Sequence, residues 1–164
     1  MEYLQILQNK IIDKNHLSKL VENYRLKNQT IVFTNGCFDL LHRGHVTYLA
    51  QAASLGNRLI VGVNSDSSVQ KLKGLHRPIQ DETTRTLIMA SMHVVSAVIL
   101  FEEDTPLDLI TLIQPDFLVK GGDWEPSKIV GANEVLSYGG QVKVIPFIDG
   151  FSTTNIETKI KKGA

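Results

Sequence analysis

The stretch Thr30-Ile31-Val32-Phe33-Thr34, closed by Asn35-Gly36, decides the fold together with the residues immediately downstream. It is short, rich in β-branched and aromatic residues and ends at a turn pair, which predicts a buried strand. Val46, Leu49, Ala50 and Ala53 then recur at helical spacing, predicting a helix that begins near Gly44 and stops at Gly56. Arg58-Leu59-Ile60-Val61-Gly62-Val63 is a second apolar run of strand length. Strand, helix and strand in this order make one βαβ unit, whose two strands lie parallel.

The pattern repeats downstream. Asp81 suits the N-cap of a helix running through Met92, and Ser96–Phe101 reads as strand three. Pro106–Ile113 suits a short helix with proline in its first turn, and Asp116–Lys120 is strand four. Gly131–Tyr138 is a helix closed by Gly139-Gly140, Gln141–Pro146 is strand five, and a last helix starts at about Ser152. Strands that are continuous apolar runs separated by helices imply a sheet covered on both faces. The expected architecture is α/β, a doubly wound five-stranded parallel sheet over residues 30–164. Residues 1–29 read as a helical extension with Leu4, Leu7 and Ile11 on one face.

Composition narrows the function. The chain has 164 residues, 43% hydrophobic and 21% charged, which is ordinary for one globular domain and argues against disorder. Lys plus Arg and Asp plus Glu both number 17, so net charge is zero and extended nucleic acid is not an expected partner. Cys37 is the single cysteine, which excludes an internal disulfide, fits a reducing cytoplasm, and suggests a small core residue. The first ten residues lack an unbroken apolar segment, and the apolar stretch Thr86–Phe101 is broken by His93. A cytoplasmic protein without a membrane partner is expected.

In a doubly wound sheet the ligand lies beyond the carboxyl ends of the strands, where strand order reverses. The polar segments there are Asn35–His45, Asn64–Gly74, Lys120–Asp123 and Asp149–Asn155. Gly44 allows close approach of a ligand to a helix start, whose free N–H groups favour anions. His42 and His45, three apart, can point at one phosphate chain. A zinc pair would need a third protein ligand, and none stands nearby at suitable spacing. Two incidental surface histidines would not need the position at the crevice of the first βαβ unit.

Asn35-Gly36-Cys37-Phe38-Asp39 followed by His42-x-Gly44-His45 resembles the signature of the cytidylyltransferase-like nucleotidyltransferase superfamily, Rossmann-like proteins that share an HxGH loop. Ser152-Thr153-Thr154 resembles its second signature, a Ser/Thr-rich helix start that holds phosphates. Val63-Asn64-Ser65-Asp66, Lys71-x-Lys73-Gly74, Arg77-Pro78, Phe101–Pro106, Val119–Trp124 and Asp149-Gly150-x-Ser152 to Asn155 are similar to the D-glycero-β-D-manno-heptose 1-phosphate adenylyltransferase family. The similarity runs from about Thr30 to Ile160. That activity is often the carboxyl-terminal half of a fusion with a sugar kinase, and the chain resembles the free-standing form.

The resemblance implies ATP and a sugar 1-phosphate as partners, ADP-heptose and pyrophosphate as products, a step toward lipopolysaccharide or other surface heptose, and a homodimer. It implies catalytic roles for His42, His45, Lys71 and Lys73, the lysines on a mobile segment after strand two. Nucleotide contacts fall to Asn35, Gly36, Phe38, Gly44, Arg85, Gly121, Ser152, Thr153 and Thr154, with Arg85 directed at the phosphates. Substrate contacts fall to Asp39, Asp66, Lys120, Asp123 and Trp124, Asp66 serving as ligand contact or helix N-cap. Mg²⁺ is expected with the nucleotide, since it binds mainly through phosphates and water. Two alternatives remain: a CTP-dependent enzyme acting on glycerol 3-phosphate or a related phospho-alcohol, and a nucleotide-sensing module without chemistry.

Overall fold

The computed structural model describes residues 2–148 and 150–163; Asp149, at the start of the last expected site segment, lies outside them. In chain order the elements are α1 (Tyr3–Gln8), β1 (Ile11–Ile12), α2 (Lys14–Leu26), β2 (Ile31–Gly36), α3 (Arg43–Ala53), β3 (Arg58–Asn64) and α4 (Asp66–Lys73). They continue with α5 (Glu82–Ser91), β4 (Ala97–Phe101), α6 (Leu107–Ile113), β5 (Phe117–Gly121), α7 (Ala132–Ser137), β6 (Gln141–Ile145) and α8 (Thr153–Lys161). The strands form one parallel sheet in the order β1-β4-β3-β2-β5-β6. The doubly wound α/β class is as expected. Order reverses at β2, which lies between β3 and β5, so the crevice opens at the ends of β2 and β5.

The apolar runs are continuous because both faces of the sheet are covered. Ile31, Phe33, Ile60, Ile99 and Leu118 face one core with Leu109 and Ile110 of α6. Val32, Val61, Val98 and Val119 face the other with Leu49 of α3 and Met89 of α5. Burying each such side chain contributes roughly 1.5–3 kcal/mol, and together they hold the strand ends in fixed register.

The structure corrects the expected count of five strands to six. Ile11 and Ile12 pair with Val98 and Ile99 at the sheet edge, while Leu17 and Val21 of α2 enter the first core. Ile11 is therefore a strand residue rather than part of a helical stripe with Leu4 and Leu7; a two-residue strand is too short to show alternation. Asn35-Gly36 is not a turn but the end of β2, held by pairing with Gly62 and Val63. The segment after β3 is helical: α4 carries Lys71 and Lys73 in its last turn. Its N-cap is Ser65, whose hydroxyl accepts from the Ser68 N–H at 3.2 Å, and Asp66 is the first helical residue. Asp81 caps α5 by accepting from the Thr84 N–H at 2.8 Å.

Candidate active site

The loop from β2 to α3 is held open by specific bonds. Phe38 stands at φ 47°, in the left-handed region, a conformation that costs of order 1–3 kcal/mol for a residue with a side chain. Its ring lies against Gly36, where a Cβ would come within 3.1 Å of it. The Asp39 carboxylate, 3% exposed, accepts from Arg77 at 2.5 Å and from the N–H groups of Ile79 and Gln80 at 2.9 and 3.0 Å. Burial would raise its pKa, but these donors outweigh burial and hold it below the usual carboxylate range. With its oxygens so occupied, Asp39 shapes the loop rather than offering a free acceptor to a sugar.

Among the described residues, Arg85 is the largest fully buried side chain. Its guanidinium donates to the Cys37 carbonyl at 2.6 Å, the Gln80 carbonyl at 3.0 Å and the Asp66 carboxylate at 2.8 Å. Arg85 thus binds Asp66 and the loop backbone at Cys37. This placement departs from the expectation that Arg85 reaches the phosphates, because its donors are committed to protein acceptors. Cys37, expected in the core, is only half-buried and lines the crevice.

His42 occupies the N-cap position of α3, with extended backbone, but its side chain makes no capping bond. Its ring instead folds over Gly44, where a Cβ would stand 3.0 Å from His42 Cε1 and Nδ1. The His42 and His45 rings lie 4.0 Å apart and tilted by 38°, and Phe38 meets His45 edge-on at 5.7 Å. Both Nδ1 atoms are buried without a hydrogen-bond partner among the described residues. Burial pushes the His45 pKa down to about 4, with His42 and Lys73 adding repulsion, and burial also lowers His42. At neutral pH the pair is uncharged: two adjoining, tilted imidazoles with unspent hydrogen-bonding capacity beside the positive end of a helix.

The crevice in front of His45 is a cavity of about 300 Å³ walled by Asn35, Phe38, Lys73, Lys120 and Thr153 among others. Lys120 is half-buried, and its Nζ has one distant partner, Asn35 Oδ1 at 3.4 Å. Burial lowers its pKa. Gly121 and Gly122 permit the ring of Phe147 to lie flush on the chain, since a Cβ at either would stand 2.8 or 2.9 Å from it. Phe147 is 62% exposed and Trp124 is 51% exposed, so two aromatic faces flank the opening. Asp123 is exposed and does not line this cavity. Tyr48, pushed up to about 12 by burial, pins β2 to β5 through Thr34 at 2.6 Å and the Val119 carbonyl at 3.2 Å.

A second cavity of about 540 Å³ opens on the other side of the histidine pair, between His42 and Arg43 and the start of α8, including Ser152 and Asn155. Ser152 caps α8 by accepting from the Asn155 N–H at 3.0 Å, and Thr153 projects into the first cavity. The histidine pair therefore sits at the junction of two compartments facing one helix start.

Of the expected site residues, His45, Lys73, Asn35, Gly36, Phe38, Asp39, Lys120, Gly121, Trp124 and Thr153 line the first cavity, His42 and Ser152 line the second, and Gly44 lies beneath the His42 ring between them. Lys71 is not among them: it is exposed and paired with Asp104 at 3.1 Å. Thr154 follows on α8 and lines neither cavity. Sequence reasoning gave no role to Phe147, Tyr48 or Arg77. An aromatic two residues past a strand and a tyrosine on an amphipathic helix carry no distinctive spacing; for Arg77 the pair Arg77-Pro78 was a signal, but not of what the side chain binds.

Unspent imidazole donors, two lysines and the starts of α3 and α8 converging on one crevice suit a chain of phosphates. Residues 33–159 match the family described as Cytidylyltransferase-like, and the chain belongs to that family, a family of nucleotidyltransferases. The protein named "Bifunctional protein HldE" from Trichlorobacter lovleyi is 54% identical over 152 residues, covering 93% of this chain and 31% of that protein. Its namesake from Pectobacterium carotovorum is 51% identical over 154 residues, 94% of this chain and 32% of that protein. The chain thus spans about a third of the length of these relatives. A lipopolysaccharide core biosynthesis protein from Thermoplasma volcanium superposes with TM-score 0.60 at 29% identity, over 73% of this chain and 97% of that one. Pantoate-beta-alanine ligase from Francisella tularensis has TM-score 0.60 at 15% identity, over 92% and 76%, a likeness of fold alone.

Proposed function

We propose that the chain transfers AMP from ATP to D-glycero-β-D-manno-heptose 1-phosphate, giving ADP-heptose and pyrophosphate, for lipopolysaccharide or other surface heptose. The observation that carries the reading is the His42–His45 pair, its Nδ1 atoms unpartnered among the described residues, at the junction of two cavities facing the start of α8. An oxygen of the sugar phosphate attacks the α-phosphorus in line, and the bond to the β-phosphate oxygen breaks as pyrophosphate leaves. Such a transfer needs positioning and charge neutralisation, with no covalent intermediate on the protein.

In this reading His42 and His45 donate to the α- and β-phosphates, and the hydroxyls of Ser152 and Thr153 with the α8 N–H groups hold the distal phosphates. Lys73 adds positive charge beside His45. Lys120, drawn back into the crevice by Asn35, receives the sugar phosphate, with Trp124 and Phe147 flanking the sugar or base. The activity belongs to residues 30–164, with residues 2–29 completing the sheet. A cytoplasmic homodimer fits the proposal.

The crevice offers anion-binding N–H and O–H groups and few free carboxylate oxygens, which suits Mg²⁺ that arrives on the nucleotide. Among the described residues no three His, Cys, Asp or Glu side chains cluster for a metal, and Asp39 is engaged by Arg77 and backbone. When bound, the ion neutralises phosphate charge, and its ligands would come chiefly from phosphate oxygens and water.

The decisive experiment measures pyrophosphate release with Mg²⁺, ATP or CTP, and the heptose phosphate or glycerol 3-phosphate. Release confined to ATP with the heptose phosphate is expected. Release with CTP and glycerol 3-phosphate would overturn the substrates, and nucleotide binding without release in any combination would overturn the chemistry.

A further inference from the structure

Helix α8 offers Ser152 and Thr153 to the crevice, yet none of its residues is buried. Apolar packing therefore does little to fix the helix, and Arg43 lies over the Phe151 ring just ahead of it at 5.6 Å. Among the described residues, two polar side-chain links tie α8 down: Asn155 Nδ2 donates to the Gly150 carbonyl at 3.2 Å in the segment just ahead of the helix, and the ion pair between Glu157 and Arg77 reaches beyond that segment to the rest of the domain.

Arg77 is well placed to carry that link. It is only 12% exposed, and its other terminal nitrogen donates to Asp39, the carboxylate that also gathers the Ile79 and Gln80 N–H groups. One guanidinium thus spans the loop leading to His42 and His45 and the helix that faces them. Such a planar, forked cation can serve two carboxylates at once, which an ammonium does less well. Glu157 lies four residues beyond Thr153, so the two side chains share one face of α8. Fixing Glu157 fixes the rotation that turns Thr153 into the cavity in front of His45.

We propose that Arg77 and Glu157 are positioning residues for the nucleotide, their ion pair setting the rotation of α8 against the histidine loop. This rests on the nucleotide-binding role proposed for the crevice. Neither side chain touches the phosphates; they act through Thr153 and the α8 N-terminus. The link lies between the two phosphate-binding segments, so it governs ATP more than the sugar phosphate, which is assigned to Lys120 on β5.

The test uses the full chain with Glu157→Ala, Glu157→Gln and Thr153→Val, reading ATP affinity by calorimetry, thermal midpoint, and KM for each substrate. Glu157→Ala is expected to weaken ATP binding about tenfold, equivalent to about 1.4 kcal/mol, with midpoint, kcat and acceptor KM nearly unchanged. Glu157→Gln, which still offers the guanidinium an acceptor, recovers most of the loss. Adding Thr153→Val to Glu157→Ala costs less than Thr153→Val alone, because the two act in series. Unchanged ATP affinity in Glu157→Ala overturns the inference alone. Equal rises in both KM values with a lowered midpoint also overturn it, since they would mark a merely structural pair. A wild-type chain that binds no ATP overturns the nucleotide reading and this inference with it.

Discussion

Gly44 leaves the space that the His42 ring fills: a β-carbon there would come within 3.0 Å of His42 Cε1 and Nδ1. The absence of a side chain at one position thus sets the aim of an imidazole two residues earlier. Gly44→Ala should force the ring away while improving helix propensity by up to about 1 kcal/mol. Turnover is expected to fall by at least about a hundredfold, the scale of losing one transition-state donor, with the thermal midpoint held. Near-normal pyrophosphate release from this variant would contradict the role given to His42.

The histidines themselves make a sharper case. His42→Ala and His45→Ala are each expected to reduce kcat by roughly 10²–10³ with circular dichroism unchanged. Combining them should cost less than the product of the two, because the adjoining rings act on one phosphate chain.

Proton linkage follows from the depressed pKa values. His45 titrates near 4 when folded and near 6.5 when unfolded, so between those values the unfolded chain binds more protons. Stability should fall as pH drops from about 6.5 toward 4, and His45→Asn should flatten that slope. Phosphates brought beside the pair favour the charged imidazoles, so nucleotide binding near pH 6 should take up protons. Calorimetry in buffers of different ionisation enthalpy reads this directly, and zero uptake would remove the histidines from the phosphates.

Arg85→Met separates a structural arginine from a phosphate ligand. It removes the buried guanidinium and leaves Asp66 and the carbonyls of Cys37 and Gln80 without that donor. Loss of about 1–3 kcal/mol of stability in denaturant titration is expected from the unpaired carbonyls, since Asp66, a third exposed, keeps contact with water. A variant as stable as the wild type but unable to bind ATP would restore the phosphate role.

Tyr48→Phe should cost about 1–2 kcal/mol by unpairing Thr34 and the Val119 carbonyl. Fluctuation of β5 against β2 should rise with it, seen as faster amide exchange at Leu118, the β5 residue paired with Phe33.

The central strands and most of their connecting helices were legible because strands buried on both faces read as unbroken apolar runs. Ile11-Ile12 was not, since two residues cannot display alternation and pair only through partners eighty-seven positions away. The HxGH loop announced itself through glycine and histidine types that have few structural uses in that spacing. Arg85 misled for the opposite reason. An arginine in the first turn of a helix looks solvent-facing in sequence, and only the folded loop supplies the Cys37 carbonyl that, with Asp66 and the nearby Gln80 carbonyl, holds it inside. Lys71 and Lys73, two residues apart on α4, point to different sides of the helix, whereas the sequence places both on one mobile segment after strand two. That difference explains why one lines the crevice and the other pairs with Asp104.

The two-residue strand β1 has a consequence for how the protein stays apart from itself. It covers the outer side of β4, whose Ala97-Val98-Ile99-Leu100-Phe101 run would otherwise present a bare apolar edge. An uncovered strand of that composition invites addition of a strand from another molecule. The opposite edge, β6, carries its own deterrent in Lys143 and in exposed Gln141. Ile11 and Ile12 thus serve as a stopper, short enough to offer little template of its own and sufficient to keep β4 from recruiting neighbours.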